Sequence, residues 1–196
     1  MPNWCNNTVE ISHPDKAKMY ELVGAINEGK FCNYAKPVPE SLHIVAGCVG
    51  DPDEQKKLEE DTARNLAVHG YGNWYDFAVN EWGTKWDVDP YEKIEYDDQH
   101  DGNGITFGFD SAWSPPTGVY EALVEQGFSV KAYYWESGMC FAGVWNNGDD
   151  DFYELGGMTA EQIREDIDPE LDEVMCISES IEMWEEDNKE ELDENE

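Results

Sequence analysis

Phe128-Ser129-Val130-Lys131-Ala132-Tyr133-Tyr134-Trp135, then Glu136-Ser137-Gly138, then Met139-Cys140-Phe141-Ala142-Gly143-Val144-Trp145 read as two strands and the turn that joins them. Both runs are dense in aromatic and branched residues, which suit a pleated, half-buried surface. A short glycine-containing link makes the pair a hairpin. Just upstream, Ser114-Pro115 opens a helix that carries Tyr120, Leu123 and Val124 and stops at Gly127. Before it, Ile105-Thr106-Phe107-Gly108-Phe109 is a further strand. Near the start of the chain, Asn7 to Ser12 alternates polar and apolar residues as a strand does. Met19, Leu22, Val23 and Ile26 then follow at i, i+3, i+4 and i+7, the spacing of one helix face. Residues 31–50 carry Pro37, Pro39, Gly47 and Gly50 and read as loop. Asp51-Pro52-Asp53-Glu54 is a cap followed by a proline at the first helical position, and predicts a helix to about Val68. A short helical stretch from Trp74 to Glu81 puts Trp74, Phe77 and Ala78 on one side. This order predicts an α+β sandwich, an antiparallel or mixed sheet with helices on one face.

The character of the chain changes at Asp149. Residues 149–196 hold 21 Asp and Glu against Arg164 and Lys189 alone, so they supply −19 of the formal −33. Thr159 with Gln162 is a capping box, and Asp168-Pro169 repeats the cap-then-proline signature. Leu171, Val174, Met175, Ser178 and Ile181 share one helical face, with Trp184 at its edge. That pattern predicts a helix docked by an apolar stripe, with carboxylates to solvent. Acids in the last turn oppose the helix dipole, so fraying is expected after about Asp187. Two units are expected: a body over 1–148 with a helical insertion at 51–82, and an acidic helical segment over 149–196.

A hydrophobic fraction of 40% with 13% aromatics is enough for a packed core, and excludes a disordered chain. The charge then lies mostly on a folded surface. Duplex DNA carries about one charge per 1.7 Å of axis, so 33 charges match roughly 56 Å of duplex. A compact chain of this length has a radius of gyration of about 16 Å, so the density is DNA-like. Cys5, Cys32, Cys48, Cys140 and Cys176 are odd in number and lack CxxC spacing, which suits free thiols in a reducing compartment. No stretch approaches 18 apolar residues, and the start shows no signal-peptide pattern. Neither a membrane nor direct nucleic-acid contact is expected of so acidic a surface.

Met1-Pro2-Asn3-Trp4-Cys5-Asn6-Asn7, Asn80-Glu81-Trp82-Gly83-Thr84-Lys85-Trp86-Asp87 and Phe109-Asp110-Ser111-Ala112-Trp113-Ser114-Pro115-Pro116 occur in a telling order. Together with the Tyr133-to-Gly143 hairpin, they resemble the phage- and plasmid-borne family with the YubB-type ferredoxin-like domain. The resemblance covers about residues 1–12 and 72–145. It implies a ferredoxin-like fold and a setting on mobile genetic elements, hence the cytoplasm of an infected bacterium. It marks Trp4, Trp82, Gly83, Lys85, Trp86, Trp113 and Pro115 as family-motif positions, structural or binding, and brings no catalytic residue. The acidic ending departs from the family's usual one.

Signals for chemistry are weak. Gly24-Ala25-Ile26-Asn27-Glu28-Gly29-Lys30-Phe31 imitates a phosphate loop but has Phe31 where a hydroxyl must meet Mg²⁺. Arg64 and His69 have the Arg-x4-His spacing of some ribonucleases, against which a helix-end histidine is the plainer reading. Asp97 and Asp101 in one loop, which lacks the closing glutamate of a twelve-residue site, and Asp149 and Asp151 in another are weak calcium candidates; a solvated turn between strands is the plainer reading of both. The four histidines are scattered, and among 45 acids no catalytic pair can be picked by spacing. Cys5 has no evident base and reads as a buried thiol. Trp82, Trp86 and Trp113 read chiefly as packing residues, or as an aromatic protein-binding patch.

The expectation is therefore a non-enzymatic binding protein without cofactor or structural metal. Its acidic face would comprise Asp149, Asp150, Asp151, Glu154, Glu161, Glu165, Asp166, Glu170, Asp172, Glu173, Glu179, Glu182, Glu185 and Glu186. Its partner would be a basic nucleic-acid-binding protein of the bacterial host, in defence or transcription, for which carboxylates stand in place of phosphates. Two alternatives remain: a scaffold module that binds through aromatic surface, with acidity for solubility, and a metal-dependent hydrolase or nuclease.

Overall fold

A computed structural model of the chain describes residues 3–97 and 102–193. It is α+β, built on a five-stranded antiparallel sheet of order β2-β1-β3-β4-β5. The strands are β1 (Trp4–Ser12), β2 (Gly104–Ala112), β3 (Ser129–Glu136), β4 (Phe141–Asn146) and β5 (Asp149–Glu154). β1 runs antiparallel to both β2 and β3, so those two are parallel to each other, and helix α5 (Thr117–Glu125) joins them across β1. Outside β2 lies a single antiparallel bridge, Pro90 to Phe109. Its bond runs from the Tyr91 amide to the Gly108 carbonyl at 2.9 Å, and Pro90 has no N–H to offer a strand on its outer side.

One face of the sheet packs on α1 (Lys16–Asn27), α2 (Phe31–Ala35) and α5. Val9, Ile11, Phe109, Val130, Ala132 and Tyr134 meet Met19, Leu22, Ile26, Phe31, Tyr120 and Leu123 there, all essentially inaccessible. The four helix positions picked out by spacing in α1 are all buried. Asp51 caps α3 (Pro52–His69) through the amides of Asp53 and Glu54, as its cap-and-proline signature requires. α4 (Trp74–Phe77) passes into a π turn over Ala78–Trp82, which buries Phe77, Ala78 and Trp82 but leaves Trp74 half-buried.

Three expectations need correction. First, 31–50 is not all loop: α2 forms because the Asp87 carboxylate accepts from the amides of Cys32 (2.7 Å) and Asn33 (3.0 Å). That cap is contributed from more than fifty residues away. Second, the acidic segment does not begin outside the body. Asn147 and Gly148 both take positive φ, +49° and +109°, the geometry of a two-residue hairpin, and Asp149–Glu154 is the fifth strand. Third, no single helix carries Leu171 to Ile181. Cys176 at φ +52° breaks it into α7 (Pro169–Met175) and α8 (Ile177–Asp193). The Asp172 carboxylate then accepts from the amide and hydroxyl of Ser178, both at 2.7 Å, which closes the new helix start. α8 is assigned from Ile177 to Asp193. Glu, Lys and Leu are strong helix formers, and each charge opposed to the dipole costs only about 0.3–1 kcal/mol.

The helices after β5 thus cover the β3–β4 part of the sheet's second face. Tyr133, Ala142 and Val144 of that face meet Leu155, Ile163, Ile167, Leu171 and Ile177 in a separate apolar cluster. α6 (Ala160–Asp166) and α8 lie side by side, tied by the Arg164–Glu182 ion pair and by the Ala160 amide donating to Glu185. Lys131 of β3 reaches Glu170 of α7 at 2.6 Å, and this partner holds the Glu170 carboxyl below the usual range. No helix among the described residues is long and apolar enough to cross a membrane.

Candidate functional site

The acidic layer is ordered by what lies beneath it. Ile163, Leu171 and Ile177 are fully buried, so the polar sides of α6, α7 and α8 face outward. Of the acids expected to form a partner face, five are used within the fold. Asp150 accepts from the Tyr134 hydroxyl (2.7 Å), Asp172 caps α8, and Glu170, Glu182 and Glu185 make the contacts given above. Glu161, Glu165, Asp166, Glu173, Glu179 and Glu186 remain on the helices, and Asp149, Asp151 and Glu154 on β5. All nine are exposed, and none pairs with a lysine or arginine among the described residues.

The family-motif residues gather elsewhere, at the end of the sheet where β1 starts and β2 and β3 finish. Trp82 is buried, its indole N–H donating to the Lys36 carbonyl at 2.8 Å. Gly83 takes φ +88° to end the π turn, and its carbonyl accepts from the Ser114 hydroxyl at 2.5 Å. Thr84 bonds both backbone groups of Ala112, and Pro115 is buried. These positions lock the segment 82–87 onto 112–117. The α5 helix therefore starts at Thr117 and not at Ser114.

The remaining motif tryptophans are displayed. Trp4, Trp86 and Trp113 are 47%, 39% and 39% exposed, large values for indoles. The rings of Trp4 and Trp86 lie 6.1 Å apart. The Lys85 ammonium stands 4.3 Å from the Trp86 ring, 5.5 Å from Tyr75 and 5.8 Å from Trp113. In so acidic a protein this lysine makes no ion pair among the described residues; three rings hold it instead, by cation–π attraction. Trp113 has φ +71°, an uncommon conformation for a bulky residue and one that costs about 1–3 kcal/mol. Sequence spacing could mark these residues as a motif but not separate the buried from the displayed ones.

Glu81, inside the same motif, pairs with Lys36 and accepts from the Tyr71 hydroxyl. Lys36 first, then Tyr71, holds its carboxyl below the usual glutamate range. A depressed folded-state value contributes stability above the ordinary glutamate range and loses it as pH falls through the folded value. Glu81→Gln is expected to lower the neutral side of a urea-midpoint-against-pH curve and to flatten its acid side, so that the variant and the unaltered protein converge at low pH.

Other candidates do not assemble a reaction centre. Arg64 pairs with Asp61 on the exposed side of α3, and His69 shares a hydrogen bond with the Ser41 hydroxyl. Burial first, and then the nearby Glu136 charge, pushes the Cys5 thiol up, which disfavours the thiolate a nucleophile needs. Asp149 and Asp151 sit on a strand, not in an ion-binding loop; Asp97 is exposed, and Asp101 lies outside the described residues. Among the described residues, no group of three or more His, Cys, Asp and Glu is placed to hold a metal.

Fold and surface together define a class: a sheet-and-helix protein with a carboxylate layer on one side and an aromatic rim at one end. No family model matches the chain, and no curated protein matches it. A solved structure, protein api92 from Yersinia pseudotuberculosis, which carries the family model DUF1281, is similar over 80% of this chain and 99% of its own. The identity is 13% and the TM-score 0.40, a likeness from which neither fold nor function is carried across.

Proposed function

We propose that this chain is a binding protein of a mobile genetic element that occupies the basic groove of a bacterial nucleic-acid-binding protein as a stand-in for DNA, in the host cytoplasm. The observation that carries this reading is the docking of α6, α7 and α8 by buried Ile163, Leu171 and Ile177, which fixes on an ordered layer carboxylates that have no cationic partner among the described residues. Fixed charges steer association and exclude the competing polyanion, whereas a flexible acidic tail must first lose its freedom. The body is read as a ferredoxin-like domain of the YubB type. The β2–α5–β3 crossover around β1 supports this, with the Pro90–Phe109 bridge standing where a further strand would pair. β4 and β5 extend the sheet on its other side.

The test begins with a partner captured from bacterial lysate on the native chain and eluted by a salt gradient. Neutralising Glu161, Glu165, Asp166, Glu173, Glu179 and Glu186 to their amides is expected to weaken capture about 100-fold or more at low salt and to flatten the salt dependence. Undiminished capture by that variant rules the reading out.

A second reading is favoured by one observation, the strained and exposed Trp113 beside Lys85, Trp86 and Trp4. Here the aromatic rim docks a host protein and the acid serves solubility. Capture would then resist salt, survive the six-fold amide variant and fail in Trp86→Ala.

A further inference from the structure

The free edge of β5 has a structure of its own. Register pairs Asn146 with Asp149, Val144 with Asp151 and Ala142 with Tyr153. In a two-residue hairpin the residues flanking the turn exchange both backbone bonds, and the pattern then alternates. Odd-numbered β5 residues thus turn their amides toward β4, and the Leu155 amide, 2.7 Å from the Cys140 carbonyl, continues that parity. The backbone N–H and C=O groups of Asp150, Phe152 and Glu154 therefore point away from the sheet.

Exposed edges are normally capped, bulged or shortened, because they template pairing with other chains. The opposite edge, at β2, has its Pro90 bridge. β5 is regular over six residues and, among the described residues, only β4 pairs with it. Its side chains are selective. Asp149, Asp151 and Glu154 are exposed carboxylates without a cationic partner among the described residues. Phe152, 54% exposed, stacks on Phe141 at 5.5 Å. An open groove of about 840 Å³ runs beside them, lined by Trp113, Met139, Phe141, Phe152 and Glu154. Met139 is 70% exposed. A second copy of this chain would bring its own aspartates against these, and like charges directly opposed are destabilising.

We infer that β5 accepts an added strand from a partner: an extended segment alternating basic and large apolar residues. Its backbone pairs with Asp150, Phe152 and Glu154. Its basic side chains meet Asp149 and Asp151 on one face of the sheet, and its apolar ones enter the Phe152–Met139–Trp113 groove on the other. This is recognition by strand addition, in which main-chain bonds supply affinity and alternate side chains supply specificity. It deepens the proposed function by naming how a basic partner docks, but it uses different residues from the helical layer.

The probe is a short capped peptide alternating arginine and leucine, titrated into the full chain and followed by backbone amide NMR. Saturable binding is expected, with hydrogen-exchange protection gained at the amides of Asp150, Phe152 and Glu154. Phe152→Pro removes an outward-facing N–H at a position where an edge strand tolerates proline, and should weaken the peptide on the order of tenfold. The same peptide, N-methylated on the residues that face β5, should lose as much against the unaltered protein, which guards against a variant that misfolds. Equal binding by the N-methylated peptide, or shifts confined to α6, α7 and α8, overturns the inference. The variant neutralised on those helices leaves β5 intact and should still take up the peptide. Failure of strand addition and failure of the DNA-mimic reading are thus read from different proteins.

Discussion

Ile163→Ala is expected to destabilise the protein by about 3 kcal/mol, read as a shift of the urea midpoint. Ile163 is wholly inaccessible on α6, packed among Val144, Leu155, Ile167, Leu171 and Ile177. Removing three carbons from such a site forfeits their transfer energy and leaves a cavity, for which about 2–5 kcal/mol is usual. The cluster is small and lies on one side of the sheet only, so the loss falls on the docking of the acidic layer. Proteolysis between Glu154 and Ala160 should accelerate, while amides of β1 and β3 keep their protection until global unfolding. This substitution changes no charge. If the carboxylates act as an ordered surface, capture of the partner should fall in Ile163→Ala even though the net charge stays at −33. Unchanged capture by a protein whose layer has come loose would mean that net charge alone attracts the partner.

The second large effect is expected at Gly118, in the first turn of α5. A β-carbon there would lie 2.1 Å from the Glu81 carbonyl oxygen and 3.0 Å from its carbon, both backbone atoms. Neither can swing aside, because Glu81 belongs to the π turn held by Trp82 and Gly83. Gly118→Ala should cost about 2 kcal/mol, the overpacking penalty being larger than the gain in helix propensity. It should also disturb the neighbouring rim, quenching or shifting the fluorescence of Trp86 and Trp113. Gly24→Ala is the matched control. That glycine is exposed within α1 and a β-carbon there meets nothing within 4 Å. It should stabilise by about 0.5–1 kcal/mol, the ordinary difference between the two residues in a helix. Opposite signs from one chemical change, measured by thermal unfolding, test whether the motif loops are as tightly interlocked as their contacts indicate.

Much of the frame is legible in the residues alone, because local signals decide it. Spacing locates α1 by the four residues it buries, and Asp51-Pro52 and Thr159–Gln162 mark helix starts that the structure keeps. The β3–β4 hairpin follows from two apolar runs around a glycine turn. β5 is missed because Asp149-Asp150-Asp151 has poor strand propensity; the Asn147-Gly148 turn before it was the available signal. Similarly, the break at Cys176 has no glycine or proline to announce it. α2 depends on Asp87, whose effect no local window contains.

The amino-acid sequence by itself determined the class of the fold, the density of negative charge and its concentration after Asp149, since composition and short-range periodicity are properties of the chain. Only the tertiary structure decided that the acidic segment folds back on its own sheet, which carboxylates it consumes, and that Trp82 is buried while Trp4, Trp86 and Trp113 are shown to solvent around a half-buried Lys85. Those outcomes depend on which apolar surfaces meet across long sequence separations, and burial is a property of the meeting and not of the residue.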